Sequence, residues 1–474
     1  MLESYDKFYC EVEFKMIADK INQMNKLYPF HMPGHKRNKN FFADNLIDLD
    51  MTEIFGLDNL HCADGIIKQA QDDCAKIFGA EHSFFIVNGG SCAVMAAIFS
   101  VCNENDKIIV MRGSHKSLYY ALELLGVDAY YLYPKKIFGI SCGFDYDELE
   151  RLLVKTNAKA VFVTSPNYEG FCLDIGKICE LVHRHKKFLI VDEAHGSHFV
   201  FHNEFPLSAL KLGGDVVINS LHKTLPVLTQ SAVLHINNAS IDLDRVKKYL
   251  AMFQTSSPSY IFMSVMDSVL KKISVPGFFN AYVKKLLALR RQLQNNKVIR
   301  LVNESDIQNS SLKNLDISKL TFIVNSDLTP LEIEKILREK FKLQIEMCGL
   351  NHFVALSTIA DTDFGFDLLL KSIAYLENNL PYKKLVFDNV TDLKPQKVCS
   401  IKKAASAPKK IVTLNDCVGK ISSDYIIPYP PGVPLIVPGE LISLDAVKMI
   451  EYYLNRGINV MGVAKRSLSV LDCL

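Results

Sequence analysis

A chain of 474 residues, 49% of them hydrophobic, has material for two or three domains and a large core. Its formal net charge of +2 leaves no electrostatic footprint for nucleic acid or an anionic membrane surface, so neither is expected as a partner. Twelve scattered cysteines without a Cys-x-x-Cys pair read as reduced, mostly buried thiols of a cytoplasmic protein, not a disulfide framework.

Residues 1–28 are expected to form a polar, helix-prone arm. The opening "MLESYDKFYCEVEF" lacks the basic flank and apolar core of a signal peptide. The longest apolar run, Cys92–Cys102, is too short to span a bilayer and fits a buried helix. From His82 the pattern alternates. "SFFIVNG" predicts a strand, "SCAVMAAIFSVC" a helix, "DKIIVMRG" a strand and "SLYYALELLG" a helix. "AKAVFVTSP" predicts a strand, "DIGKICELVHRHK" a helix, and "KFLIVDEA" and "GDVVINS" two more strands. Short continuous apolar strands between helices signal an α/β fold with a mostly parallel sheet covered on both faces. Ligands of such sheets bind at the carboxyl ends of the strands.

This large domain is assigned to residues 29–290 and ends in the amphipathic helix "AYVKKLLALRRQLQ". Residues 291–393 predict a smaller α+β domain. It holds the strands "LTFIVN", "LQIEMC" and "HFVALST", the helix "PLEIEKILREK" capped by Thr329 with Pro330 in its first turn, and a helix near "FGFDLLLKSIAYLENN". Residues 394–474 form a C-terminal subdomain. Its start, "KPQKVCSIKKAASAPKK", reads as a basic linker or exposed loop. "IIPYPPGVPLIVPGE" carries five prolines in fifteen residues and predicts a stiff extended loop.

Four clusters fall at expected strand ends. In "VNGGSCAV", two glycines and a serine between strand and helix leave backbone N–H groups free for a phosphate. In "RGSHKS", His115 could stack on a flat ligand or give a proton. In "FLIVDEAHGSH", Asp192 closes a buried strand and Ala194 and His195 follow. The "DEAH" tetrapeptide also occurs in ATP-driven helicases, but these need a Gly-Lys-Ser/Thr loop, and this chain has none. The fourth cluster, "SLHKTLP", places Lys223 between two apolar segments, with Ser220 and His222 beside it. A lysine about thirty residues after a strand-end aspartate, below a phosphate-type loop, meets the needs of pyridoxal 5'-phosphate. That cofactor requires a lysine to attach it, an acid to protonate its ring nitrogen, and donors for its phosphate.

Together with "HMPGHK", "DMTEIFGLDNLH", "TSPNYEG", "FQTSSPSY" and "PYPPGVPLIVPGE", these motifs resemble the ornithine/lysine/arginine decarboxylases among fold-type-I pyridoxal-phosphate enzymes, from His31 to Glu440. The resemblance implies an aspartate-aminotransferase-like large domain and decarboxylation of a basic amino acid. It makes Lys223 the attachment lysine, Asp192 the partner of the ring nitrogen and His115 the residue stacked on the ring. Gly90, Ser91, Cys92, Ser220 and His222 would lie by the phosphate, Ala194 beneath the ring and His195 on its phenolic-oxygen side. Thr255 and Ser256 would cross a homodimer interface to the partner's phosphate, within a dimer or higher oligomer. Glu440 would lie near the distal cation of the substrate.

The sequence departs from the family pattern at Gly113, where asparagine is usual, and at Gly90 and Ala93, where Ser/Thr and Gly are common. No acid-induced-type N-terminal wing is recognisable, which matches a shorter branch holding biosynthetic arginine decarboxylases. Arginine is therefore the expected substrate, with lysine and ornithine as alternatives. His31 and His35 have helical metal spacing, but Pro33-Gly34 breaks a helix between them and no third ligand is evident, so no metal is expected. Two rivals remain. Another pyridoxal-phosphate reaction such as transamination would need a guanidinium clamp on the α-carboxylate, and Arg300, Arg338, Arg456 and Arg466 lie outside the motifs. A non-catalytic binding protein on this fold would not need both Asp192 and Lys223.

Overall fold

The computed structural model describes residues 25–42, 45–308, 310–384, 393–429 and 432–472. Most of the expected N-terminal arm, residues 1–24, lies outside them.

Seven strands form the central sheet: β1 (His82–Ile86), β2 (Lys107–Met111), β3 (Asp128–Leu132), β4 (Ala160–Thr164), β5 (Phe188–Asp192), β6 (Val216–Asn219) and β7 (Ala232–Ile236). Their spatial order is β1-β7-β6-β5-β4-β2-β3. Strands β3, β2, β4, β5 and β6 pair in parallel, whereas β7 runs antiparallel to both of its neighbours. Because β6 and β7 are adjacent and opposed, a short connection joins them without a crossover helix. Lys223 lies in that connection.

Alternate side chains of each strand feed two separate cores. Val161, Val163, Leu189, Val191 and Val217 point into one; Ala160, Phe162, Ile190, Val216 and Ile218 point into the other. That is the period of two expected of a sheet buried on both faces. The helix Gly89–Val101 covers the second face and is itself buried on most sides, which explains its uniformly apolar sequence.

A second, four-stranded antiparallel sheet is built from Ile299–Leu301, Lys319–Val324, His352–Leu356 and Met347–Cys348, in that order. The helix Pro330–Phe341 starts at a capping box in which Thr329 and Glu332 satisfy each other's backbone N–H groups. The expected strand "LQIEMC" is divided: Leu343–Ile345 pairs in parallel with Tyr28–Phe30, and Met347–Cys348 joins the four-stranded sheet.

Residues 394–410, expected as a linker or exposed loop, are more ordered than their composition implies. They contain the helix Ile401–Ser406, capped by Ser400, and the start of the strand Lys409–Thr413. Ile401 and Ala404 are buried, and Ile401 joins the core that holds Leu118 and Leu122. Two apolar residues three apart dock this short helix, while its lysines keep the segment looking like a loop in sequence. A separate small core forms around Ile442, Ala446, Ile450 and Leu468. No helix among the described residues is long and apolar enough to cross a membrane.

Candidate active site

Strand β6 ends at Asn219, and Ser220 enters a single helical turn, Leu221–Thr224. Leu221 and Leu225 are fully buried on either side of Lys223, so the turn is anchored and its lysine is held in place. The "HMPGHK" segment braces it from outside: Gly34 N–H donates to the His222 carbonyl at 2.7 Å. A Cβ on Gly34 would stand 2.6 Å from the Leu225 carbonyl oxygen, so only glycine allows this approach. His31 and His35 belong to the same brace. His31 Nδ1 lies 2.5 Å from the Met32 carbonyl, and His35 Nδ1 accepts the Arg37 N–H at 2.9 Å.

Lys223 opens onto a cavity of about 630 Å³ at the carboxyl ends of the parallel strands. Gly90, Ser91, His115, Asp192, Ala194, His195, Ser220, His222 and Lys223 all line it. Asp192 closes β5 opposite Thr164 of β4 and accepts the Ala194 N–H at 3.1 Å. Burial raises its pKa, and the Lys223 charge pulls it back down. Burial lowers the Lys223 pKa, with Asp192 opposing.

The Lys223 amine meets His195 Nε2 at 3.1 Å, and the other ring nitrogen, Nδ1, meets Lys319 Nζ at 2.9 Å. One imidazole thus separates two amines, that of the half-buried Lys223 and that of the buried Lys319. Tyr168 packs against the His195 ring at 4.7 Å between centroids.

Two further histidines of the wall, His115 and His222, are neutral, each with a defined tautomer. His115 caps the helix Lys116–Leu125, its Nδ1 accepting the Ser117 N–H at 3.3 Å, so its proton sits on Nε2. Burial pushes its pKa down to about 3, assisted by Lys223 and Lys116. His222 Nδ1 donates to the Ser231 carbonyl at 2.9 Å, and burial lowers its pKa to about 4.

Pyridoxal phosphate fits this wall chemically. The N-terminus of the thirteen-residue helix Gly89–Val101 receives no side-chain cap, because Asn88 Oδ1 instead accepts the Thr255 N–H at 3.4 Å. A Cβ on Gly90 would collide with the Ser220 hydroxyl, so glycine keeps open a gap edged by helix N–H groups, Ser91 and Ser220. Such a gap suits an anion. Gly113, by contrast, has open space around its Cβ position.

Comparison with known proteins agrees with this geometry. The chain matches the Orn/Lys/Arg decarboxylase major domain over residues 14–327 and the C-terminal domain of the same enzymes over residues 383–457. It is 32% identical over 458 residues to the arginine decarboxylase of Bacillus subtilis, covering 93% of this chain and 94% of that one. The chain belongs to the Orn/Lys/Arg decarboxylase family. It is a decarboxylase of basic amino acids. The arginine decarboxylase of Halalkalibacterium halodurans is likewise 32% identical over 450 residues, 91% of each chain. Among solved structures, the lysine decarboxylase LdcF of Francisella novicida superposes with a TM-score of 0.77 at 18% identity, over 91% of this chain and 76% of that one.

Not every residue expected at this decarboxylase's site stands on the cavity wall. The Cys92 side chain faces away, its thiol 3.5 Å from the Phe253 carbonyl. Thr255 and Ser256 lie on the surface, and the Thr255 carbonyl meets His61 Nε2 at 2.8 Å. Glu440 is completely buried off the wall. Its carboxylate holds Arg112 at 2.9 and 3.3 Å and accepts the Val437 N–H at 2.8 Å. Arg112 is the only arginine lining the cavity among the described residues. Its guanidinium is spent on Glu440 and the carbonyls of Pro434 and Leu435. Sequence reasoning missed Lys319 and Glu169. Lys319 opens the wholly buried strand "KLTFIV", and a charge inside such a run was the available signal. Glu169 sits within the motif "TSPNYEG".

Proposed function

We propose that this enzyme is an arginine decarboxylase that carries pyridoxal 5'-phosphate on Lys223 and forms agmatine and carbon dioxide. The observation that carries the proposal is a half-buried lysine on the wall of a deep cavity, facing a strand-end aspartate and touching a neutral histidine. The cofactor, when bound, supplies a protonated pyridine ring that accepts the electron pair left as the carboxylate departs.

The residues divide the remaining work. Lys223 Nζ would attach the cofactor and would give way to the α-amine of the substrate. Asp192 keeps the ring nitrogen protonated. With the cofactor bound, His115 would cover one face of the ring, Ala194 would leave room on the other, and His195 would serve the phenolic-oxygen side. Ser91, Ser220 and the free N–H groups after Gly90, that of Cys92 among them, would hold the phosphate, and His222, whose Nδ1 already donates to the Ser231 carbonyl, would give it an Nε2–H as the imidazolium that the phosphate charge favours. His115 or Lys223 returns a proton to Cα as carbon dioxide leaves. Transamination is disfavoured because Arg112 has no donor left to clamp an α-carboxylate. Arginine is favoured over lysine and ornithine by the full-length relatives named arginine decarboxylase.

A homodimer follows from the same reading, with Thr255 and Ser256 reaching the partner's phosphate. Ile47, Met51, Ile54 and Phe55 are exposed apolar residues on the segment preceding His61, which contacts Thr255, and they supply a surface for such an interface.

Incubation with arginine, lysine and ornithine, with carbon dioxide and amine measured, tests the substrate. Release of agmatine in excess is expected; preference for lysine or ornithine overturns the arginine assignment. Lys223→Ala should abolish the borohydride-reducible chromophore together with activity. An unchanged chromophore would remove Lys223 from its role.

A further inference from the structure

We infer that Glu169 is the carboxylate that reads the distal cation of the substrate, an inference that rests on the basic-amino-acid reading above. Among the described residues, Glu169 and Asp192 are the only carboxylates on the cavity wall. Asp192 stands beside Lys223 and serves the cofactor ring. Two other acids of the region lie off the wall and are engaged: Glu440 by Arg112, and Glu346 by the Met32 N–H at 2.6 Å and the Tyr168 hydroxyl. A cationic side chain entering a cavity also lined by Lys136, Lys223 and Lys394 needs an anionic partner, and Glu169 is the one left.

The local structure equips it for that task. Glu169 follows β4 in a tight turn, closed by the Gly170 N–H donating to the Asn167 carbonyl at 3.1 Å. Gly170 has φ +95°, and a Cβ there would press within 2.7 Å of the Lys319 side chain, so the turn accepts only glycine. The Thr321 hydroxyl donates to the Glu169 carbonyl at 2.8 Å and pins the backbone to the second sheet. The residue is only 8% exposed. His352 Nε2 lies 3.3 Å from Oε1, while no hydrogen bond among the described residues engages Oε2. One oxygen is therefore oriented by the second sheet, and the other is uncommitted among the described residues. A guanidinium or ammonium donor completes it, and a buried charge-assisted hydrogen bond discriminates strongly against an uncharged side chain.

The test compares holoenzyme carrying Glu169→Gln with wild type on arginine and on citrulline, its uncharged isostere, or on lysine and norleucine should lysine be the better substrate. Expected is a rise in KM for the cationic substrate of about ten- to a hundredfold, with the ratio between cationic and uncharged substrates collapsing. The absorbance of the attached cofactor stays as in wild type. Calorimetric binding of agmatine, the product cation, should weaken in parallel. A preserved cation preference in Glu169→Gln overturns the inference. Glu169→Asp retains the charge but withdraws it by one methylene, so it should fold and show a raised KM; an unchanged KM there is equally fatal. Failure of wild type to decarboxylate any basic amino acid would instead strike the underlying functional reading.

Discussion

Lys319 and Lys223 share one imidazole, and hydrogen-bond chemistry sets which amine keeps its proton. Burial lowers the Lys319 pKa to about 8, while Asp316 and Glu346 lift it and Lys223 depresses it. The His195 imidazole is held neutral, by burial first and by the two lysines second. With Lys319 as the ammonium, Nδ1 of His195 accepts, its proton sits on Nε2, and that N–H points at the lone pair of Lys223. Lys223 is then the free amine that the proposed cofactor attachment would require. Lys319 acts through His195 and is a positioning residue. Lys319→Met should move the pH midpoint of the attached-cofactor absorbance by about one unit or more, with Lys319→Arg restoring most of it. A midpoint unmoved in Lys319→Met would reduce Lys319 to a structural cation.

Among the elements, the gap assigned to the phosphate is a meeting of two turns, one after β1 and one after β6. Gly90 and Ser220 face each other so closely that a Cβ on the first displaces the hydroxyl of the second. Gly90→Ala should therefore weaken cofactor binding about tenfold by removing one phosphate donor, as measured by titration of the apoenzyme. Adding Ser220→Gly clears the collision without returning the donor, so the double variant should bind no better than Gly90→Ala. Undiminished affinity in Gly90→Ala would show that Ser220 is not a phosphate donor.

Both turns were legible in sequence because the strands before them are short, mostly apolar runs that give way to Gly or Ser. Strand β3 was not, since "DAYYL" is an edge strand whose half-buried tyrosines break the apolar signal. The Arg112–Glu440 pair was also illegible. Its members stand 328 residues apart, and Glu440 by motif alone gave no sign of a buried guanidinium beside it. Lys319 and Glu169 escaped for a related reason: each acquires meaning only where the second sheet meets the first.

Across the whole molecule, burial of neutral imidazoles ties stability to pH, and His235 isolates the effect away from the cavity. It lies in β7 with Nδ1 on the Ser83 hydroxyl at 2.7 Å and its ring 4.8 Å from that of Phe78. Burial lowers its pKa to about 3. A folded value below the unfolded 6.5 means that the native state binds fewer protons between those limits. Its contribution is thus fully present above about pH 6.5 and is lost as pH falls toward 3. By pH 5 this one group should cost about 2 kcal/mol. Buried acids with raised values, such as Glu193 at about 7, act in the opposite direction, so the wild-type curve alone does not isolate the histidine. A variant that differs only at His235 cancels those acids. His235→Phe should be less stable than wild type at pH 7.5, because the Ser83 hydroxyl loses its partner. The gap between their thermal midpoints should then shrink steadily as pH falls to 5, since only wild type still pays for an uncharged imidazole. Thermal midpoints that run parallel across this range would mean that His235 titrates normally in the folded protein.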